Sequence, residues 1–584
     1  MRTSITPDLS ETLNMPLLTS ELAHAFTNAY EPYEYENLRQ FLPLGRMNEI
    51  MKPKSIVSHL REIWPDGIPT SAVIPSLRDE GDHHEAIGRY ICGQQIPATV
   101  FASKPDTAMK LFSILVHIEQ ESAILAFMKE GITDKNLPFQ KHQMEGADFH
   151  LALSCGKEIT SFIPNWNRLA ERSFDTCQWQ VLSPILQPGD NKKFERYKFG
   201  SQTILPFSHA EATPDTNCRV WKVIIDEHHH NFAEPNNAFA LKQLQPTHKD
   251  WFEWEMDAFE RIPLHDHLTP LYATIEHKGH FHLLLPWALG KSLYSMWQQE
   301  APRNSREYWM WFVKQCLGIA SGLDCIHDTN LGMSDGVAAQ LPYPEDDRTC
   351  GRHGDIKPNN ILWFHDHTED KRNHGGKHGE YGRLKICDFG LTRFSKPDAT
   401  KATAKNIRVT QTYRPPEYDI NEKVSRPFDI WSLGCVYVEF ITWLLLGGQG
   451  ISEFDKLRQR ESVRPHIRGD HFFDIVNGER HKEPMAVLGT ENRGPGTSDD
   501  VKKGPDTSRS TWSRLRSKFR HSFLSKSKTT GLNAHDEIPI VKTSVLSVCM
   551  PLPYSILRTL THLCAVDGQI TASPQLLPIS RRVY

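Results

Sequence analysis

The sequence has no Cys-x-x-Cys pair, no run of about 18 apolar residues and almost no net charge, and each absence closes a class of answers. Its 11 cysteines are scattered from Cys92 to Cys564, which argues against a zinc site and against a dense disulfide framework, and fits a reducing compartment. A formal net charge of -4 gives no global field toward polyanions or membranes, so no nucleic-acid partner is expected. Met1 to Ser10 are polar, without the apolar core of a signal peptide. The expectation is a soluble intracellular protein, cytoplasmic, with the nucleus as the alternative.

With 39% hydrophobic and 24% charged residues the composition is that of a globular protein, and 584 residues exceed what one core usually supports. Two domains with irregular insertions are expected. From about 16 to 130, apolar positions recur at helical spacing, most clearly from Ala108 to Met128, where Leu111, Leu115, Ile118 and Leu125 can share one face. Pro65, Pro69, Pro75, Pro97, Pro105 and Pro138 divide this region into short helices joined by turns. It reads as a helical accessory domain over 1–187, in which Trp64, His83 and His84 are packing or surface residues rather than ligands.

From about 200, β-branched runs such as Arg219 to Asp226 and Ala238 to Leu244 precede a long helical, loop-rich region. That order predicts an α+β fold, with a small sheet-rich lobe over 200–290 and a larger helical lobe over 291–584. Polar insertions are read at 328–352 and 365–382, and a disordered basic one at 489–530.

The chemistry concentrates in His353-Gly354-Asp355-Ile356-Lys357-Pro358-Asn359-Asn360 and, downstream, Lys385-Ile386-Cys387-Asp388-Phe389-Gly390. These residues resemble the catalytic loop and metal-binding triplet of eukaryotic-type protein kinases. The resemblance implies a bilobal kinase fold that takes ATP and Mg2+. In it Asp355 meets the substrate hydroxyl, Lys357 neutralises the transferred group, and Asn360 and Asp388 hold the metal. Thr410-Gln411-Thr412-Tyr413-Arg414-Pro415-Pro416-Glu417 resembles the end of an activation segment. Pro427 to Cys435 resembles the family's next helix, with Asp429 tying down the catalytic-loop backbone.

Upstream, Phe239-Ala240-Leu241-Lys242 resembles the strand whose lysine grips the α and β phosphates, and the resemblance assigns it a glutamate partner on the following helix. Glu255 is the choice because Phe259 follows one turn on; Glu253 and Glu260 are the alternatives. His282 to Leu293 resembles the last small-lobe strand and hinge, with Leu285 as gatekeeper and Ala288 as the N–H donor to adenine. Ala240 and Val220 would cover the adenine from above and Leu362 from below. Lys357 and Thr410 are features of Ser/Thr rather than Tyr kinases, so the implied activity is phosphoryl transfer to Ser or Thr of proteins. The resemblance spans roughly 200 to 545 and, with the N-terminal extension and insertions, is similar to kinases of filamentous fungi.

Some positions depart from the family. Thr213, Asp215 and Cys218 stand where three glycines would let backbone N–H groups approach phosphates. Gly354 replaces the arginine that usually precedes the catalytic aspartate, so phosphate-dependent ordering of the activation loop is not expected. A late arginine partner for Glu417 is missing, leaving Arg558 as a substitute or the large lobe incomplete. These departures support an alternative, a catalytically weak kinase-fold scaffold. Finally, Ser508 to Lys528 holds seven Lys or Arg and no acid. Trp512, Leu515, Phe519 and Phe523 fall there at near-helical spacing, which suits an anionic membrane or a calmodulin-like partner if it is not simply a solvated loop.

Overall fold

The computed structural model describes residues 39–68, 81–93, 106–143, 149–163, 166–189, 194–213, 219–244, 249–299, 306–329, 350–365, 381–395, 410–421, 426–460 and 470–477, with a few shorter pieces besides. The chain forms two compact units, one of residues 1–249 with 271–287 and the other of residues 250–270 with 288–584.

The first unit opens with the hairpin β1 (Glu31–Tyr33) and β2 (Arg39–Phe41). It continues through α1 (Leu44–Ile50), α2 (Pro53–Ile63), α3 (His83–Ile91), α4 (Met109–His117) and α5 (Ile124–Lys129) to a second hairpin, β3 (Gln140–Gln143) with β4 (Phe149–Ala152), and α6 (Arg168–Val181). Leu111, Leu115 and Leu125 are buried in one apolar cluster with Ile118 packed against it. The stretch from Ala108 to Met128 is nevertheless not one helix. Glu119 takes a left-handed φ of 54°, and α4 and α5 reach the shared core as separate pieces.

Asp134 caps α4 from outside it, accepting from the backbone N–H of Leu111 at 2.9 Å and of Lys110 at 3.2 Å. His84 and Trp64 belong to this packing: the His84 ring meets the Trp64 carbonyl at 3.1 Å.

The same unit carries a six-stranded sheet of β5 (Glu195–Lys198), β6 (Phe207–Ala212), β7 (Arg219–Ile225), β8 (Ala238–Leu244), β9 (Ala273–His277) and β10 (His280–Pro286), in the order β5-β9-β10-β8-β7-β6. Only β5 against β9 is parallel. One face packs Val223, Ile225, Phe239, Leu241, Ala273, Ile275 and Leu284 into a core that also takes Phe41 of β2 and Leu186. The N-terminal part therefore contributes to the sheet's own core.

The second unit holds α7 (Lys249–Arg261), from Asp250 on, then α8 (Leu293–Trp297) and α9 (Arg306–His327). The short ladders β11 (Cys350–Arg352) with β14 (Arg393–Ser395) and β12 (Ile361–Phe364) with β13 (Arg383–Ile386) follow. They lead to α10 (Pro416–Asn421) and α11 (Arg426–Arg460). Over Arg426–Gln459 the helix α11 is long and apolar enough to cross a membrane by composition. It breaks at Gly447 and buries Asp429, Glu439, Thr442 and Arg458, which marks it as a core helix.

Candidate functional site

In β8 alternate residues face opposite sides of the sheet, so Phe239 and Leu241 in the core place Ala240 and Lys242 on the other face. Cross-strand register adds Val220 opposite Lys242 and Leu285 opposite Ala240. Val220, Ala240, Lys242 and Leu285 thus share one face of the sheet. Lys242 is only 8% exposed. Of the sequence's three phosphate-loop positions, Thr213 donates its N–H and its hydroxyl to the Val220 carbonyl, at 2.8 and 2.9 Å. Asp215 and Cys218 lie outside the described residues.

In the second unit the three glutamates of α7 separate by burial: Glu255 is 3% exposed, whereas Glu253 and Glu260 face solvent. The Glu255 carboxylate lies beside Gly390, 3.6 Å from where a Cβ would stand, and Phe259 meets the Phe389 ring edge-on at 5.0 Å. One face of α7 is therefore set against Asp388-Phe389-Gly390. Asp388 itself is exposed and takes a left-handed φ of 65°.

The loop that carries Asp355 is held from beneath. Asp429, at the start of α11, accepts the backbone N–H of His353 on one carboxylate oxygen and that of Gly354 on the other, each at 2.8 Å. The His327 ring meets it at 2.9 Å. Burial alone would raise this carboxyl, but the His327 hydrogen bond, the His327 and His353 charges and the Gly354 N–H outweigh it, and Asp429 titrates below the ordinary carboxylate range. The sequence's expectation that Asp429 ties down this backbone is what the structure shows.

Above that clamp, Asp355 collects three side chains. Lys357 Nζ lies 2.7 Å from Oδ2, Asn360 Nδ2 donates to the same oxygen at 2.9 Å, and the Thr410 hydroxyl donates to Oδ1 at 2.8 Å. Asn360 Nδ2 also donates to the Asp355 carbonyl at 2.9 Å, so the amide nitrogen is spent and Oδ1 remains as an oxygen donor. The Asn360 carbonyl accepts from the Cys387 N–H at 2.9 Å, which brings Asp388 alongside. Asp355, Lys357, Asn360 and Thr410, spread over 56 positions by number, are joined by these bonds, and Asp388 follows the residue bonded to Asn360.

Leu362 lies on β12, where it pairs with Lys385 and bridges to Ser292. Gly290 lets the segment after Ala288 approach that strand: a Cβ there would sit 2.5 Å from the Trp363 ring. Ala288 is buried at the start of this segment, its carbonyl accepting from the Lys291 N–H at 3.1 Å.

Sequence reasoning missed two things. Arg352 is 8% exposed, and its Nε lies 3.4 Å from the Cβ position that Gly354 leaves empty, so an arginine reaches the Gly354 position from two residues upstream. Gly354 has a φ of 83°, a conformation that would strain the arginine usual at this position. The second is Arg458 of α11, bound to Glu439 at 2.9 Å, Asp455 at 2.8 Å and Asp470 at 2.8 Å. The Tyr413 hydroxyl donates to Glu439 at 2.8 Å and the Thr412 hydroxyl to Asp470 at 3.2 Å, so this cage pins the peptide after Thr410. The sequence looked instead for a cation for Glu417, which is half-buried on α10, while Arg558 lies outside the described residues.

Residues 230–459 match the family profile of the protein kinase domain. The chain carries a protein kinase domain. Val220 and the Thr213 hairpin precede the matched residues of this kinase domain. A probable cyclin-dependent kinase 8 of Dictyostelium discoideum is 34% identical over 119 residues, covering 20% of this chain and 28% of that protein. Mitogen-activated protein kinase 9 of Arabidopsis thaliana is 39% identical over 143 residues, 23% of this chain and 25% of its own length. Cyclin-dependent kinase E-1 of the same plant is 33% identical over 133 residues, 21% and 26% of the two lengths. The chain thus spans about a quarter of the curated relatives it matches.

Proposed function

We propose that this protein transfers the γ-phosphoryl group of ATP to Ser or Thr hydroxyls of protein substrates. The observation that carries the reading is Asp355. Its carboxylate is oriented by Lys357, Asn360 and Thr410 on a backbone clamped by Asp429, so it is preorganised to accept a hydrogen bond from an incoming hydroxyl. Lys357, bonded to both Asp355 and Thr410, supplies positive charge where the transferred group develops negative charge. Lys242 is proposed to meet the α and β phosphates and Glu255 to be its carboxylate partner. Val220, Ala240 and Leu285, with Leu362 and Ala288, are proposed to receive the adenine.

Asn360 Oδ1 and the Asp388 carboxylate are hard oxygen donors of the kind Mg2+ takes, so the donor set fits that ion. When bound, Mg2+ neutralises charge on the phosphates.

A second reading, a kinase-fold scaffold, is favoured by Thr213, whose N–H and hydroxyl close the hairpin where the family presents glycine. The test is labelled ATP with Mg2+ and a generic basic protein, comparing the full chain with Asp355→Asn and Asp388→Asn. Label on Ser or Thr, lost in both variants, supports the kinase. No transfer while nucleotide still raises the melting temperature supports the scaffold.

A further inference from the structure

We propose that the N-terminal part of this chain is an internal partner of the small-lobe sheet, held by a latch at His229 that opens when this histidine takes up a proton. His229 lies between β7 and β8 and is 3% exposed. Its Nδ1 meets the Pro184 carbonyl at 3.0 Å and its Nε2 accepts the Leu44 backbone N–H, from the first turn of α1, at 2.9 Å. A carbonyl requires a proton on Nδ1 and an amide N–H requires a lone pair on Nε2, so the two bonds together select one neutral tautomer. A second proton would turn the acceptor into a donor facing another donor. The Leu44 bond would be lost, leaving two buried polar hydrogens opposed.

The seat around the ring is close. Phe41 stands edge-on to it, 5.8 Å between centroids at 87°, and a Cβ on Gly45 of α1 would come within 2.4 Å of the neighbouring His228 ring. The backbone is anchored separately, by the Leu186 N–H on the His229 carbonyl at 2.8 Å, so protonation acts on the α1 contact rather than on the whole turn. Burial pushes the His229 titration down. The Pro184 carbonyl and Asp226 push the other way, and Lys110 of α4 and His228 reinforce the burial effect. Stability from this group is therefore full above the ordinary histidine value and is lost as pH falls through its lower native one. Phe41 shares a core with Phe239 and Leu241 of β8, whose opposite face carries Lys242, so releasing the latch loosens the packing behind that lysine.

The first readout is hydrogen exchange and does not depend on any catalytic activity; only the consequence for nucleotide rests on the kinase reading. Deuterium uptake of the peptide spanning 40–47, corrected for the intrinsic pH dependence of exchange, is followed in the full chain from pH 7.5 to pH 5.5. Loss of one buried hydrogen bond predicts a roughly fivefold fall in protection. His229→Gln, which keeps a hydrogen-bonding amide but cannot titrate in this range, removes the pH dependence. Asp226→Asn, which leaves the ring in place, moves the midpoint of the fall to lower pH and serves where the glutamine variant does not fold. Protection independent of pH in the wild type, an equal fall in His229→Gln, or an unmoved midpoint in Asp226→Asn would each overturn the latch. A latch that opens while the nucleotide-induced melting shift stays constant would keep the latch and remove its link to Lys242.

Discussion

Asp429 Oδ1 accepts the backbone N–H of Gly354 at 2.8 Å across 75 positions of sequence, and this one bond, with its twin to His353, fixes the loop from which Asp355 projects. Asp429→Asn puts an amide NH2 against one of those backbone donors inside a fully buried site. A loss of about 2–4 kcal/mol in stability is predicted from urea unfolding, because hydrogen bonds to charged groups contribute about 1.5–3 kcal/mol each. Turnover should fall as well, with less change in nucleotide affinity, since the loop rather than the sheet is disturbed.

Arg458 offers a test by double substitution. Arg458→Met strands Glu439, which is 2% exposed, and removing one partner of a buried pair costs about 3–5 kcal/mol. Adding Glu439→Gln should restore most of that stability, because the amide needs no counter-charge and can still accept from Tyr413. A double variant no more stable than the single one would show that the carboxylate is not what the arginine serves.

Gly290→Ala drives a methyl group into the Trp363 ring and to within 2.7 Å of the Trp363 carbonyl. Overpacking of this kind costs about 1–3 kcal/mol. The segment after Ala288 should be pushed off β12, which limited proteolysis between 287 and 293 would report. Gly434→Ala is the matched control, since nothing lies within 4 Å of its Cβ position.

Protonation of two buried histidines should cost the fold stability as pH falls below their ordinary value. Burial drives His267 down to about 4, its bond to the Leu384 carbonyl acting in the opposite direction, and His282 likewise to about 4 against the Ile275 carbonyl. Both are held neutral when folded and take up protons on unfolding near the ordinary value of about 6.5. Their stabilisation is complete above that value and declines as pH falls toward 4. The slope is up to about 1.4 kcal/mol per pH unit for each. Unfolding free energies at pH 7.5, 6 and 5 measure it, and His282→Gln should reduce the slope.

The loop from His353 to Asn360 was legible because the chemistry proposed for it needs specific residue types at short fixed spacing, so Asp355, Lys357 and Asn360 announce one another within six positions. Asp429 was reachable by the same route, from the peptide around it. The β7 and β8 strands were legible from their β-branched and apolar runs, and the shared face of Val220, Ala240, Lys242 and Leu285 then follows from pleat and register. Arg458, Arg352 and His229 were not legible. Each owes its role to partners brought in by tertiary packing, and neither the arginines nor the middle of three consecutive histidines carries a local signature of its partner. The break at Glu119 was missed for a related reason: apolar periodicity continues across it because α4 and α5 feed the same core.

The most direct measurement of the central claim is the kinetics of Asp355→Asn in the full chain, with nucleotide affinity followed separately by melting temperature. The account predicts that kcat for protein phosphorylation falls about 10²- to 10⁴-fold, the range for a positioned acid–base group, while the nucleotide-induced melting shift is retained. An Asp355→Asn protein that folds, binds nucleotide and transfers phosphate at the wild-type rate would contradict it.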